Sequence, residues 1–342
     1  MKFAVFDHMD RSTVSFAQQY EDRLRLTEAY DRLGFHAYHV AEHHSTPLGV
    51  SPSPSVFLAA VAQRTKRLRF GPLVYTLAMH HPLRIVEEIC MLDQMSGGRL
   101  EIGFGRGISP YELGYYGVDP ADAAGIYRES YAIILQGLTR ATVDFEGSHF
   151  KLRQVPVVMK CLQQPTPPIW YGAGTPAATE WAAAESINIV CNGTLAQVRA
   201  ITDQYRLHWF AAGREATALP CLGMTRHVVV GANAEAALAE ARRAYRRWFD
   251  HLMHLWRVHG GRPQNLSFPD NFDDAQRLGF GIAGTAAAVR DWVAGQIEAS
   301  GCNYFVSRFA FGDLSVDTSL RSAQLFAEQV APALRGLATV NE

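Results

Sequence analysis

Apolar residues in this chain recur at two spacings that alternate along its length. KFAVFD (2–7) is a short β-rich run; Phe16, Tyr20, Leu24, Thr27 and Tyr30 then follow at helical spacing until Gly34 stops the helix. The cycle repeats. AYHVA (37–41) predicts a strand and SPSPSVFLAAVAQRT a helix with a serine/proline start. LRFGPLVYT (68–76) predicts a third strand, and a helix opening at Pro82 carries Ile85, Ile89 and Leu92. RLEIGF (99–104) is a fourth strand, followed by a helix from about Pro120 to Leu138. PIWYGA (168–173), INIVC (187–191), CLGMTRHVVVG (221–231) and NYFVSR (303–308) supply four more, each with a helical stretch behind it.

Two segments break the rhythm. VDFEGSHFKL predicts a hairpin turning at Glu146–Gly147, inside an insertion spanning about 141–167 that ends in QQPTPP. The stretch 259–281 is polar and rich in glycine and proline, and is expected to be a mobile loop without regular structure. Eight strands, nearly all followed by a helix, are most simply closed as an α/β (β/α)8 barrel, one domain over 1–342. A doubly wound open sheet is the alternative, but no G-x-G-x-x-G follows the first strand.

Composition narrows the partners. With 342 residues, 48% of them hydrophobic, a sizeable core is available, and a net charge of −1 argues against nucleic acid or an anionic membrane. The basic run RRAYRR (242–247) has Leu238, Ala241, Tyr245, Trp248 and Leu252 at helical spacing through it, so it reads as the solvated face of an amphipathic helix. The five cysteines are far apart in sequence with no CxxC pair, as in a reduced protein. The amino terminus enters a strand at once, without a signal-peptide pattern, and no apolar run is long enough for a membrane span; a cytoplasmic location is expected.

In a parallel barrel chemistry collects at the carboxyl ends of the strands. Those ends hold Asp7 and His8, then Glu42, His43 and His44 from VAEHH, Tyr75, Phe104 to Arg106, Tyr171 to Thr175, Cys191 and Asn192, His227, and Ser307 with Arg308. A metal is not expected: strand one reads Asp7-His8-Met9 rather than His-x-His, and neighbours such as His43 and His44 point in opposite directions. His44 reads as a structural histidine; His43 is open between that role and proton transfer. GFGRG (103–107) has small residues that let backbone approach a flat ligand, and Arg106 suits a phosphate or, equally, a surface carboxylate. WYGAGTPAATEW (170–181) leads glycines into a helix start where Thr175 is an anion ligand or an ordinary N-cap. Two such loops suggest a phosphorylated planar cofactor.

These residues carry a resemblance. EHH (42–44), HPLRIVEEICMLDQMSGGRLEIGFGRG (81–107), TEWAAAE (179–185), GTAAAV (284–289) and LFAEQVAPAL (325–334) stand in the order found in the bacterial-luciferase-like flavin-dependent monooxygenases, and the chain resembles their luciferase alpha subunit. The resemblance implies a barrel that binds reduced FMN, supplied by a separate flavin reductase, and uses O2 through a C4a-hydroperoxyflavin to put one oxygen atom into a small organic substrate. It implies His43 and Glu112 as catalytic residues. It places Glu42, Leu73, Val74, Tyr75, Arg106, Ile108, Ala173, Gly174, Thr175 and Cys191 at the cofactor, with a cis peptide at Leu73-Val74 under the flavin ring. It places Phe6, His8, Phe104 and His227 around the substrate. A homodimer through the helices near 53–66 and 82–95 is also implied, with Val56, Phe57, Ile85 and Ile89 as its apolar residues. Two departures are plain: Gly105 stands where the luciferase alpha subunit has a reactive cysteine, and Gly174 where it has an acidic residue. F420-dependent hydride transfer on the same barrel and a non-catalytic flavin-binding role are the alternatives.

Overall fold

Strand β1 (Lys2–Asp7) sets the pattern for the whole sheet: Ala4 and Phe6 face a small inner cluster, while Phe3 and Val5 face the main core under the helices. Successive side chains of a strand point to opposite faces, so a parallel barrel sorts alternate residues into an inner and an outer layer. The computed structural model describes residues 1–263 and 268–336. Its strands are β1, β2 (Ala37–Val40), β3 (Arg69–Pro72), β4 (Tyr75–Thr76), β5 (Ile102–Gly105), β6 (Thr142–Glu146), β7 (Lys151–Pro156), β8 (Ile169–Gly172), β9 (Asn188–Cys191), β10 (Leu222–Val230), β11 (Gly281–Gly284) and β12 (Tyr304–Arg308).

The hydrogen-bonded path runs β3-β2-β1-β12-β10-β9-β8-β5-β4, and all of its pairs are parallel. β3 and β4 are two halves of one barrel stave, interrupted at Leu73-Val74. The ring closes there, because Phe70 N donates to Arg99 O and Glu101 N donates to Phe70 O at 3.2 and 2.8 Å. The expected barrel is therefore present. β6 and β7 form the expected antiparallel hairpin outside it.

Two expectations need correction. The final strands are not consecutive: β11, unforeseen, pairs with β10 through His227↔Gly281 and prolongs the edge that β9 begins. The segment 259–281 is not wholly irregular, since Phe272–Arg277 is a helix capped by Asn271; residues 264–267 lie outside those described. The cysteines far apart in sequence are not all far apart in space. Cys90 and Cys161, both buried free thiols, have Sγ atoms 3.7 Å apart.

The floor of the barrel is filled and the upper part is not filled evenly. His39, Trp170 and Tyr304 pack together at the lower end, with His39 Nε2 2.8 Å from Tyr304 Oη and Trp170 Nε1 donating to Glu101 at 2.7 Å. Burial pushes His39 down to about 4, so it is a neutral packing group. Above the floor, β3, β4, β5 and β8 form one arc with inner positions Leu73, Gly103, Gly105 and Gly172; β1, β12 and β10 form the facing arc with Phe6, Arg308 and His227. Among the described residues no helix is long and apolar enough to cross a membrane.

The glycines of the first arc are not equivalent. A Cβ on Gly71 would lie 1.8 Å from Glu101 O, a backbone atom that cannot step aside, whereas a Cβ on Gly172 would meet nothing within 4 Å. Gly71→Ala is expected to destabilise the protein by roughly 2 kcal/mol or more, and Gly172→Ala by under about 0.5 kcal/mol. Denaturant midpoints of the two variants check this; equal effects would contradict the assigned strand packing.

Candidate active site at the barrel mouth

VAEHH leaves β2 at the boundary between the two arcs, and its two imidazoles separate. His44 Nε2 lies 2.8 Å from Glu42 Oε1, and its Nδ1 lies 2.8 Å from the Tyr116 hydroxyl. Because a carboxylate only accepts, Nε2 carries a proton, and the Tyr116 hydroxyl occupies Nδ1. Both nitrogens of His44 are thus occupied, and it is structural as expected. Glu42 is equally committed: Oε1 also accepts from His80 Nε2 at 2.9 Å and Oε2 from Thr76 N at 3.2 Å. The Glu42 oxygens, expected at the cofactor, also tie the end of β2 to β4 and to His80.

His43 is different. Its Nδ1 is 3.1 Å from Glu112 Oε1, and Glu112 Oε2 accepts from His44 N at 3.2 Å. Glu112 is held in the first turn of the short helix Pro110–Tyr115, whose N-cap Ser109 accepts from Glu112 N. The carboxylate therefore keeps a proton on Nδ1 and leaves Nε2 without a partner among the described residues. That is the arrangement of a proton-transfer group oriented by an acid. The ring of His43 stacks on His8 at 5.8 Å, and Trp248 Nε1 donates to His8 Nδ1 at 3.2 Å. Burial, then the positive charge of Arg308, holds His8 well below its ordinary range, so it is neutral with its proton on Nε2.

The rim opposite supplies loosely held donors. Arg106 and Thr175 are exposed, and neither side chain has a partner among the described residues; Thr175 leads only into the turn Pro176–Ala178 and the six-residue helix Thr179–Ala184. Ile108 is 80% exposed beside Arg106, and Gly174 has open space around it. The peptide Leu73-Val74 is cis, with both side chains on the inner cluster. A Cβ on Gly105 would come within 2.3 Å of Val74 Cγ2, so Val74 occupies the room that a cysteine there would need.

Four of the expected lining residues are placed otherwise. Tyr75 bonds to Ser55 Oγ at 2.7 Å, Phe104 packs on Tyr131, Cys191 accepts from Gly193 N, and Ala173 joins the same outer core. All are out of the mouth for one reason, the alternation that turns Val74, Gly103, Gly105, Val190 and Asn192 inward instead. Phe6, His8 and His227 do face the interior. Residues that sequence reasoning left out of the site are His80, Tyr116, Asn192, Trp248, Phe268 and Arg308. Arg308 and Asn192 were visible as strand-end positions, and Trp248 as part of an apolar helical stripe. The dimer expectation is corrected in part: Phe57, Ile85 and Ile89 are buried within the chain, and only Val56 of the four is exposed.

Among the described residues no group of three or more His, Cys, Asp and Glu is placed to hold a metal ion. The Glu42 pairings carry a pH dependence. Burial alone would lower His80, but its bond to Glu42 outweighs this and raises it above its ordinary 6.5. Burial alone would raise Glu42, but His44 and His80 pull it below its ordinary 4.5. The raised His80 contributes stability that is complete below 6.5 and is lost as pH rises through its folded value; the depressed Glu42 contributes stability present above 4.5 and lost as pH falls through its folded value. His80→Gln is expected to flatten the alkaline decline in unfolding temperature, and Glu42→Gln the acid one, each with a loss of about 1–3 kcal/mol at neutral pH. Melting curves across pH check this, and parallel profiles for wild type and both variants would contradict it.

Comparison with known proteins agrees with this architecture. The model of the luciferase-like monooxygenase family matches residues 1–303. A protein of Sinorhizobium fredii described as uncharacterized protein y4wF is 44% identical over 331 residues, covering 96% of each chain. The oxygenase component of the flavin-dependent trigonelline monooxygenase of Acinetobacter baylyi is 32% identical over 193 residues, 55% of this chain and 53% of that one. The crystal structure of the monooxygenase RslO1 from Streptomyces bottropensis superposes with a TM-score of 0.88 at 26% identity, covering 97% of this chain and 99% of that one. The chain belongs to the luciferase-like monooxygenase family.

Proposed function

We propose that this chain is the oxygenase component of a two-component flavin monooxygenase, taking reduced FMN from a separate reductase and placing one atom of O2 in a small organic substrate. The observation that carries the reading is the His43–Glu112 pair, with its free Nε2 at the junction between a glycine-lined arc and an aromatic one. The named activity of the Acinetobacter relative supports the need for a reductase partner.

The residues fit such a cofactor. Gly172 and Gly174 leave open space at the rim that any side chain would occupy, and Arg106 and the Thr175 hydroxyl are uncommitted donors suited to a phosphate. These two would hold the phosphate, and Leu73, Val74, Gly103 and Gly105 would face the ring. Reduced FMN, when bound, supplies the two electrons with which O2 yields one oxygen atom to the substrate and the other to water. The chain's own contribution is proton control and dryness. His43 keeps one proton at Nδ1 against Glu112 and takes or returns another at Nε2. Phe6, Trp248 and Phe268 wall the facing arc and exclude water from it. A homodimer through the helices Pro54–Arg64 and Pro82–Ser96 is part of the proposal, with Val56, Met91 and Met95 as their exposed apolar residues.

His43→Ala is expected to lower product formed per flavin oxidised by roughly 100-fold while FMN affinity changes by less than about threefold. Arg106→Ala is expected to weaken FMN by roughly tenfold and riboflavin, which lacks the phosphate, hardly at all. Anaerobic flavin titrations and mass spectrometry of a substrate panel under labelled O2 measure both. Unchanged coupling in His43→Ala, or turnover with reduced F420 without oxygen uptake, would overturn the proposal.

A further inference from the structure

Arg308 ends β12 on the inner face of the barrel, and its side chain is 1% exposed. The guanidinium lies 5.1 Å from the Phe6 ring, 5.5 Å from Phe268 and 5.9 Å from Trp248. Among the described residues it makes one hydrogen bond, from Nη2 to Asn192 Oδ1 at 3.0 Å, while Nε and Nη1 have no acceptor there. No carboxylate pairs with it among the described residues. An unpaired buried charge is strongly destabilising in a protein interior, and a merely structural arginine is ordinarily given an acid or several carbonyls. Arg226, one register position from His227 and equally buried, illustrates the structural case in part, donating to Gln296 Oε1 and Thr225 O.

The surroundings of Arg308 are built toward the mouth. Asn192, its acceptor, is exposed there and is held in turn by the Thr225 hydroxyl. His227 is fully buried with both ring nitrogens unpartnered among the described residues, caged edge-on by Trp248 at 4.4 Å, Phe311 at 4.8 Å and Tyr245 at 5.1 Å. Burial, then the charge of Arg308, keeps His227 neutral, so it does not compete for an anion's partner. Burial draws Arg308 itself down only to about 9, which leaves it charged at neutral pH. Phe6 touches both Arg308 and His8, and His8 stacks on His43. A cation in an aromatic slot thus stands two side chains away from the free nitrogen of the proton-transfer pair.

We infer that the substrate is an organic anion, an apolar body bearing a carboxylate that ion-pairs with Arg308 between Phe6, Trp248 and Phe268, so that Arg308 selects and orients what His43 acts beside. This assignment rests on the oxygenase reading for its purpose and not for its chemistry, which is binding alone. Calorimetric titration of the flavin-free protein with benzoate, cyclohexanecarboxylate and hexanoate, each beside its neutral amide, tests it directly. At least one carboxylate should bind tighter than its amide by roughly tenfold, and Arg308→Met should abolish that difference. The unfolding temperature of Arg308→Met should match or exceed that of the wild type, because an unpaired buried charge has been removed. Arg308→Gln, which keeps a donor for Asn192, repeats the comparison if the methionine variant does not fold. Absence of any carboxylate preference in the wild type, or its survival in either variant, overturns the inference. Arg308-dependent binding in a protein that takes no reduced FMN would instead overturn the oxygenase reading and leave this one standing.

Discussion

Two carboxylates divide two adjacent imidazoles between them, and the site depends on that division. Glu42 takes His44 and His80 and locks the end of one strand to the next; Glu112, from a helix seventy positions on, takes His43. His44 spends its second nitrogen on the Tyr116 hydroxyl, whereas the second nitrogen of His43 has no partner among the described residues. The backbone forces the split, because consecutive residues leaving a strand point apart. The separate acids then fix each ring's tautomer.

The barrel supplies the contrast around that pair. On one side β3, β5 and β8 carry glycines at inner positions, and backbone lines the wall. On the other, β1, β12 and β10 carry Phe6, Arg308 and His227 under a roof formed by Trp248 and Phe268. His43 stands at the seam between the two walls. Gly105 shows how local the tuning is: Val74 fills the volume that a side chain there would claim.

Much of this was legible from one-dimensional pattern. The alternation of short β-rich runs with helical periods led to the barrel, the break at 141–167 to the hairpin, and the strand ends to a mouth containing His43, His8 and His227. What failed has physical causes. Tyr75, Phe104 and Cys191 sit at the right height but on the wrong face, and a strand's inward parity is set by its neighbours and not by its own sequence. GIAG is too short and too poor in β-branched residues to announce β11. The basic run at 242–247 was recognised as a polar helix face, yet the opposite stripe, Tyr245 and Trp248, roofs the site. Pairing of His43 with Glu112 joins residues that only the tertiary fold brings together.

The most direct test is nitrogen-15 spectroscopy of the histidine-labelled protein, recorded anaerobically with and without reduced FMN. The account predicts a His43 proton on Nδ1 beside Glu112, an Nε2 resonance that moves when FMN is added, and His44 signals that do not. A His43 protonated at Nε2 instead, or one that ignores saturating FMN, would contradict it.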